Sequence, residues 1–97
     1  MKSPIFRPAA AADLDDAFRW YERQRVGLGE EFLGAVRRTL DSIVEKPELY
    51  PVVRRGTRRA FLKRFPYGLY YRLLSDQVII VACYHGKRDP RGWRKRK

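Results

Sequence analysis

The side chains in this sequence best able to do chemistry are cationic and aromatic, and they are concentrated late in the chain. Arg54, Arg55, Arg58, Arg59, Lys63 and Arg64 lead to His85, Lys87, Arg88, Arg91, Trp93 and a terminal Arg94-Lys95-Arg96-Lys97, with Tyr67, Tyr70, Tyr71 and Tyr84 interleaved. Residues 1–48 hold 8 Lys/Arg against 9 Asp/Glu, and residues 49–97 hold 14 against 2, so the halves carry −1 and +12 of the formal +11. A positive field confined to one half attracts polyanions or an acidic protein surface and raises the rate of encounter with either.

Other chemistries are poorly supplied. One cysteine cannot form an internal disulfide, and one histidine with one cysteine cannot make a structural zinc site. No metal and no cofactor is expected. No serine–histidine–acid or cysteine–histidine arrangement can be argued for nucleophilic catalysis. Cys83 stands among apolar strand residues and reads as packing, and His85 reads as a residue ending a strand. The N-terminus lacks the apolar stretch of a signal peptide, and no run approaches the ~18 residues needed to cross a bilayer. The expected location is the cytoplasm, with no membrane partner.

A chain of 97 residues with 44% hydrophobic content is expected to fold as one domain over residues 1–97, with 94–97 as a mobile basic tail. Ile5-Phe6 can form a short edge strand. Pro8 suits the first turn of a helix, whose inner positions would be Leu14, Ala17 or Phe18, and Tyr21, with Gly27 ending it. A second apolar stripe, Phe32, Val36, Leu40 and Ile43-Val44, predicts another helix stopped at Pro47. The short connection makes the two antiparallel neighbours.

Residues 49–58 read as a loop with a brief extended piece, and Ala60–Arg64 as the start of a strand. Phe65-Pro66 reads as a turn, since proline removes a ladder donor. Tyr67–Leu74 alternates as a strand, with Tyr67 and Tyr71 on its packing face. Ser75-Asp76 turns it into Val78–Tyr84, which is apolar on both faces and therefore suits an interior strand. The expected fold class is α+β: an N-terminal strand and an antiparallel helical hairpin packed on an antiparallel sheet formed mainly by the C-terminal strands.

This order of elements carries a set of local motifs: Asp13-Leu14, Gly27-Leu28-Gly29-Glu30-Glu31-Phe32, Pro47 with Tyr50-Pro51, Arg64-Phe65-Pro66-Tyr67, and His85-Gly86-Lys87-Arg88-Asp89-Pro90 with Trp93. Together they resemble the RelE/ParE superfamily of bacterial type II toxins over almost the whole chain. The resemblance implies a toxin neutralised by a cognate antitoxin in a hetero-oligomer. It implies one of two activities: RelE-like members cut mRNA in the ribosome, and ParE-like members poison DNA gyrase.

Metal-free RNA cleavage needs groups that help the 2′-hydroxyl attack, stabilise the extra phosphate charge and protonate the leaving oxygen. On the resemblance, Arg59, Arg64, His85 and Arg88 are the candidates for that role. Phe61 and Gly68 fall where RelE-like enzymes carry a lysine and an arginine, so the cleavage set is incomplete. The expectation is therefore a ParE-like gyrase inhibitor that needs no turnover, with an mRNA endoribonuclease as the alternative and an inactive antitoxin-binding module as a third possibility. Target contacts are expected at Arg88, Arg91, Trp93 and Arg94, because arginine and aromatic side chains dominate interface hot spots. Antitoxin contacts are expected at Arg54, Arg55, Arg58 and Arg59, over an exposed sheet edge.

Overall fold

In the computed structural model, which describes residues 3–86, a helical hairpin lies on one face of a five-stranded sheet. The elements in chain order are β1 (Ile5–Phe6), α1 (Pro8–Gln24), α2 (Leu28–Glu45), β2 (Val52–Arg54), β3 (Thr57–Phe61), β4 (Tyr67–Leu74) and β5 (Gln77–His85). The sheet runs β1-β5-β4-β3-β2. β1 joins β5 in parallel, Ile5 opposite Ile79, and every other pairing is antiparallel. The expected α+β architecture is the one found. Arg88, Arg91, Trp93 and the 94–97 tail lie outside the described residues.

Pro8 opens α1, where its missing N–H and fixed φ cost nothing. Ala10, Ala17 and Tyr21 are its buried positions, spaced so that they share one face. The turn into α2 is held by a side chain from the helix before it. Gly27 sits at φ 90, and the Glu22 carboxylate accepts N–H bonds from Gly27 (3.0 Å) and Gly29 (2.9 Å). That carboxylate satisfies donors at the start of α2 and places negative charge at the positive end of the helix. Gly29 also lets the helices close up, because a Cβ there would lie 2.8 Å from the Phe18 ring.

The core between hairpin and sheet is centred on aromatic rings. Tyr21 stacks on Phe32 at 5.2 Å, and Phe65 meets both rings edge-on at 5.0 and 5.5 Å. Tyr67, Leu69 and Tyr71 of β4 pack into this core, as do Val78, Ile80 and Cys83 of β5. The Tyr71 hydroxyl donates to the Pro47 carbonyl at 2.6 Å, which fastens the exit of α2 to the sheet.

Two features depart from the sequence reading. The strand expected over Ala60–Arg64 lies three residues earlier, at Thr57–Phe61, and pairs with β2 across a tight turn at Arg55-Gly56. Both turn residues have positive φ, 36 and 78, matching the twist of a two-residue hairpin with glycine second. Arg64 is therefore in the β3–β4 turn, at φ 72, where Leu62 N–H bonds to the Tyr67 carbonyl. The second departure is in β5. Tyr70 pairs with Ala82 but Tyr71 with Ile80, leaving Val81 as an extra residue. This bulge shifts the alternation: Val78, Ile80 and Cys83 face the helices, while Ile79, Val81, Ala82 and Tyr84 join Tyr70 in a second buried cluster on the other face.

Candidate functional site

The four arginines expected to meet an antitoxin fall into two groups. Arg54 and Arg55 stand exposed at the β2–β3 hairpin. Arg58 is turned inward, donating to the carbonyls of Tyr50 (2.6 Å) and Glu48 (3.2 Å), so it clamps the segment after α2 onto β3. Arg59 is half-buried with its guanidinium carbon 4.4 Å from the centre of the Phe61 ring, a cation–π contact. Its Nε is buried with no hydrogen-bond partner among the described residues.

Gly68 lies between this pair and β5, opposite Phe61 on one side and Tyr84 on the other. A Cβ at Gly68 would come within 3.3 Å of both the Arg59 stem and the Phe61 ring. The place at which the resemblance puts a phosphate-holding arginine is thus covered by a neighbouring aromatic ring and the alkyl part of Arg59. Phe61 itself remains 55% exposed.

Of the side chains considered for RNA cleavage, the three among the described residues, Arg59, Arg64 and His85, do not converge. Arg59 pairs with Tyr70 and shares its face of the sheet, away from the helices. His85 pairs with Tyr67, whose ring is in the helix-facing core, and meets that ring edge-on at 5.3 Å. Strand alternation therefore sends Arg59 and His85 to opposite faces. Arg64 is in the turn, bonded to Glu31 at 2.8 Å with its guanidinium over Phe65. Arg25 reaches the other oxygen of Glu31 at 3.1 Å, and these two arginines hold the carboxyl below its ordinary range.

The sequence reading missed two cavities. The larger, about 770 Å³, opens beside α1, with Asp13, Asp16, Trp20, Tyr67 and His85 in its walls. Asp13 also accepts the Cys83 backbone N–H at 3.0 Å, tying α1 to β5. The smaller, about 280 Å³, lies between α2 and the end of β3. The sequence hints were Trp20 and Phe61, aromatic residues at positions outside the helix stripes. Among the described residues, no helix is long and apolar enough to cross a membrane.

This fold, a helical hairpin on one face of a sheet with cationic side chains at its margin, is that of the RelE/ParE superfamily of toxins. The model of the ParE toxin of the type II toxin–antitoxin system parDE matches residues 5–90, and the chain belongs to that family. Among solved structures it is similar to a chain of the chromosomal ParDE toxin–antitoxin system from P. aeruginosa. The two share 23% identity and a TM-score of 0.65, over 88% of this chain and 96% of that one. At that identity the likeness shows a shared fold. No curated protein matches the sequence.

Proposed function

We propose that this chain is the toxin of a type II toxin–antitoxin pair that acts in the cytoplasm as a stoichiometric inhibitor of DNA gyrase and is held inactive by a cognate antitoxin. The observation that carries the choice of target class is the environment of Gly68. Phosphoryl chemistry needs charged groups converging on one phosphate. Here Phe61 and Arg59 cover the position, and Arg59, Arg64 and His85 point to three different surroundings.

An inhibitor needs complementarity to its target and no convergent catalytic set. The exposed Phe61 backed by Arg59, with Arg88, Arg91, Trp93 and Arg94 beyond the described residues, is the kind of arginine–aromatic set that dominates interface hot spots. Arg54 and Arg55 are exposed to acidic antitoxin side chains, Arg59 packs its guanidinium over the Phe61 ring, and Arg58 shapes the edge they stand on. Binding of an acidic antitoxin to this surface is expected to weaken as salt rises, because the attraction is between charges near solvent.

The test is to add the purified chain to gyrase, relaxed plasmid and ATP, then measure supercoiling and trapped cleaved DNA. Lost supercoiling, restored by antitoxin, is the expected result. Unimpaired gyrase in the presence of folded protein would overturn the proposal and make cleavage of ribosome-bound mRNA the next assay.

A further inference from the structure

The turn between β2 and β3 gathers three arginines. Arg54 pairs with Thr57 across the hairpin, and Arg55 is the first residue of the turn itself. Arg58 pairs with Tyr71, so the next residues on the two antiparallel strands, Thr57 and Arg72, also lie side by side. Tyr71 faces the helices, and alternation therefore sends Thr57 and Arg72 to the other face of the sheet, with Arg54 on the far side of Thr57. Two strand spacings, about 10 Å, separate the backbones of Arg54 and Arg72. The Arg72 side chain reaches the turn, one Nη lying 3.6 Å from the point where Gly56 would carry a Cβ.

These three cations are uncompensated. Among the described residues, ion pairs join Arg19 to Asp15 and both Arg25 and Arg64 to Glu31, and none involves Arg54, Arg55 or Arg72. Asp76 is the one acid between residues 49 and 86, and it forms no ion pair with them. The neighbouring Arg58 and Arg59 are already engaged, one with the carbonyls of Tyr50 and Glu48 and the other with the Phe61 ring. Arg54 and Arg55 are exposed and Arg72 is half-buried, so a ligand at the turn can reach all three.

The composition of the turn separates the ligands it could take. Interfaces with proteins are centred on apolar and aromatic side chains, whereas surfaces that hold DNA are polar and strongly positive. Arg54, Arg55, Gly56, Thr57 and Arg72 include no apolar side chain. All three cations are arginines, whose planar fork matches two phosphate oxygens at once. We propose that the β2–β3 turn grips the phosphate backbone of duplex DNA and so seats the toxin on the DNA held by its target. The proposal rests on the reading of the chain as a gyrase inhibitor and gives it a second hold on the same complex. Phosphate contacts fix position and carry no base sequence. Acidic antitoxin side chains at Arg54 and Arg55 would displace the DNA by occupying the same guanidinium groups.

The probe is a fluorescein-labelled duplex of about 20 base pairs, titrated with the full chain between about 50 and 200 mM KCl and read by anisotropy. The variant Arg54→Gln/Arg55→Gln/Arg72→Gln keeps the hydrogen-bonding ends and removes three charges. It should make the plot of log affinity against log salt shallower by about 2 to 3, near 0.9 for each lost phosphate contact, and weaken binding by about tenfold or more at the lowest salt. The matched triple Arg37→Gln/Arg38→Gln/Lys46→Gln removes the same charge from exposed positions in and just after α2. There the slope should change by less than about 1. Residues 87–97 are the same in both variants, so the comparison cancels their share of the binding. Arg54→Gln/Arg55→Gln, with the half-buried Arg72 intact and folding checked by circular dichroism, should lower the slope by about 2 and covers the case in which the triple variant folds poorly.

Equal losses from the two triple variants would overturn the grip, since net charge alone would then account for the binding. So would the absence of DNA binding, or tighter binding of a single-stranded RNA of the same length through the same arginines. The gyrase assay on the unmodified chain reads the parent function separately. Uninhibited gyrase with a slope that depends on the turn discards the function and keeps the DNA contact. Inhibited gyrase with equal losses does the reverse.

Discussion

The two faces of the sheet are built from similar residues and put to different uses. On the helix side, Tyr67, Leu69, Tyr71, Val78, Ile80 and Cys83 meet α1 and α2 in one continuous core. On the other side, Tyr70, Ile79, Val81, Ala82 and Tyr84 form a smaller cluster, and toward β3 that face ends in Arg59 and the exposed Phe61 over Gly68. The first face buries its aromatic rings against other aromatic rings. The second leaves one standing at the margin beside a cation. Tyrosine and phenylalanine content alone would not distinguish them; what differs, among the described residues, is whether a helix lies above. The helix side should therefore govern stability, and the β3 margin should govern recognition.

The severest challenge to that division is Phe32→Ala. Phe32 is fully buried and touches Tyr21, Phe65 and Tyr67. Its truncation is expected to cost about 3–5 kcal/mol, read by urea denaturation. A loss below about 1 kcal/mol would mean that the helix-facing core does not dominate stability.

Gly29→Ala tests the helix pairing within the same core. The added Cβ would press on the Phe18 ring and the Glu22 carboxylate that caps α2. A cost of about 1–3 kcal/mol is expected from overpacking. Unchanged stability would show that the ring moves aside freely.

Tyr71→Phe removes only the bond to Pro47, about 1 kcal/mol. It also carries a pH signature. Burial pushes the Tyr71 hydroxyl up to about 12 from an ordinary value of 10.0. A raised value means that the folded state holds the proton more tightly, so the contribution is complete below about pH 10 and is lost as pH rises from 10 toward 12. The substituted protein should show a shallower stability decline across that window, measured by denaturation at a series of alkaline pH values.

Phe61→Ala is the converse substitution. Half-exposed, Phe61 should change stability by less than about 1 kcal/mol, while gyrase inhibition or antitoxin affinity falls by about tenfold or more. A large stability loss with intact binding would erase the contrast between the faces.

The smallest effect is expected at Glu31, between Arg25 and Arg64. Because its value is lowered, its contribution is present above the ordinary carboxylate range and fades as pH falls through the lowered one. Glu31→Gln should remove that acid dependence from the melting temperature and leave the neutral-pH value nearly unchanged.

Some of these features were legible from local residue order. Pro8 and Pro47 bound the helical pair, the apolar stripes were readable at helical spacing, and Ser75-Asp76 marked a turn that both residues occupy at positive φ, 49 and 64. The face of Tyr67 and Tyr71 followed from strict alternation in β4. The Arg55-Gly56 hairpin has a readable signal in its glycine, but a basic stretch with one proline resembles a loop as much as an edge strand, so the apolar pattern alone starts the strand at Ala60, three residues late.

What the residue order determined on its own is what neighbours in the chain decide: helix limits, helix faces, tight turns, and the segregation of positive charge into the second half. The tertiary structure decided the rest, because partners distant in sequence set it. The Val81 bulge exists only through the register of β5 against β4, and it determines which face each later side chain joins. Arg58 is a clamp because two carbonyls eight and ten residues earlier come within its reach. Glu22 caps the following helix because the hairpin folds back on it. On the resemblance Arg59 and His85 are members of one candidate cleavage set, and a pleated sheet, whose side chains alternate by two, places them on opposite sides.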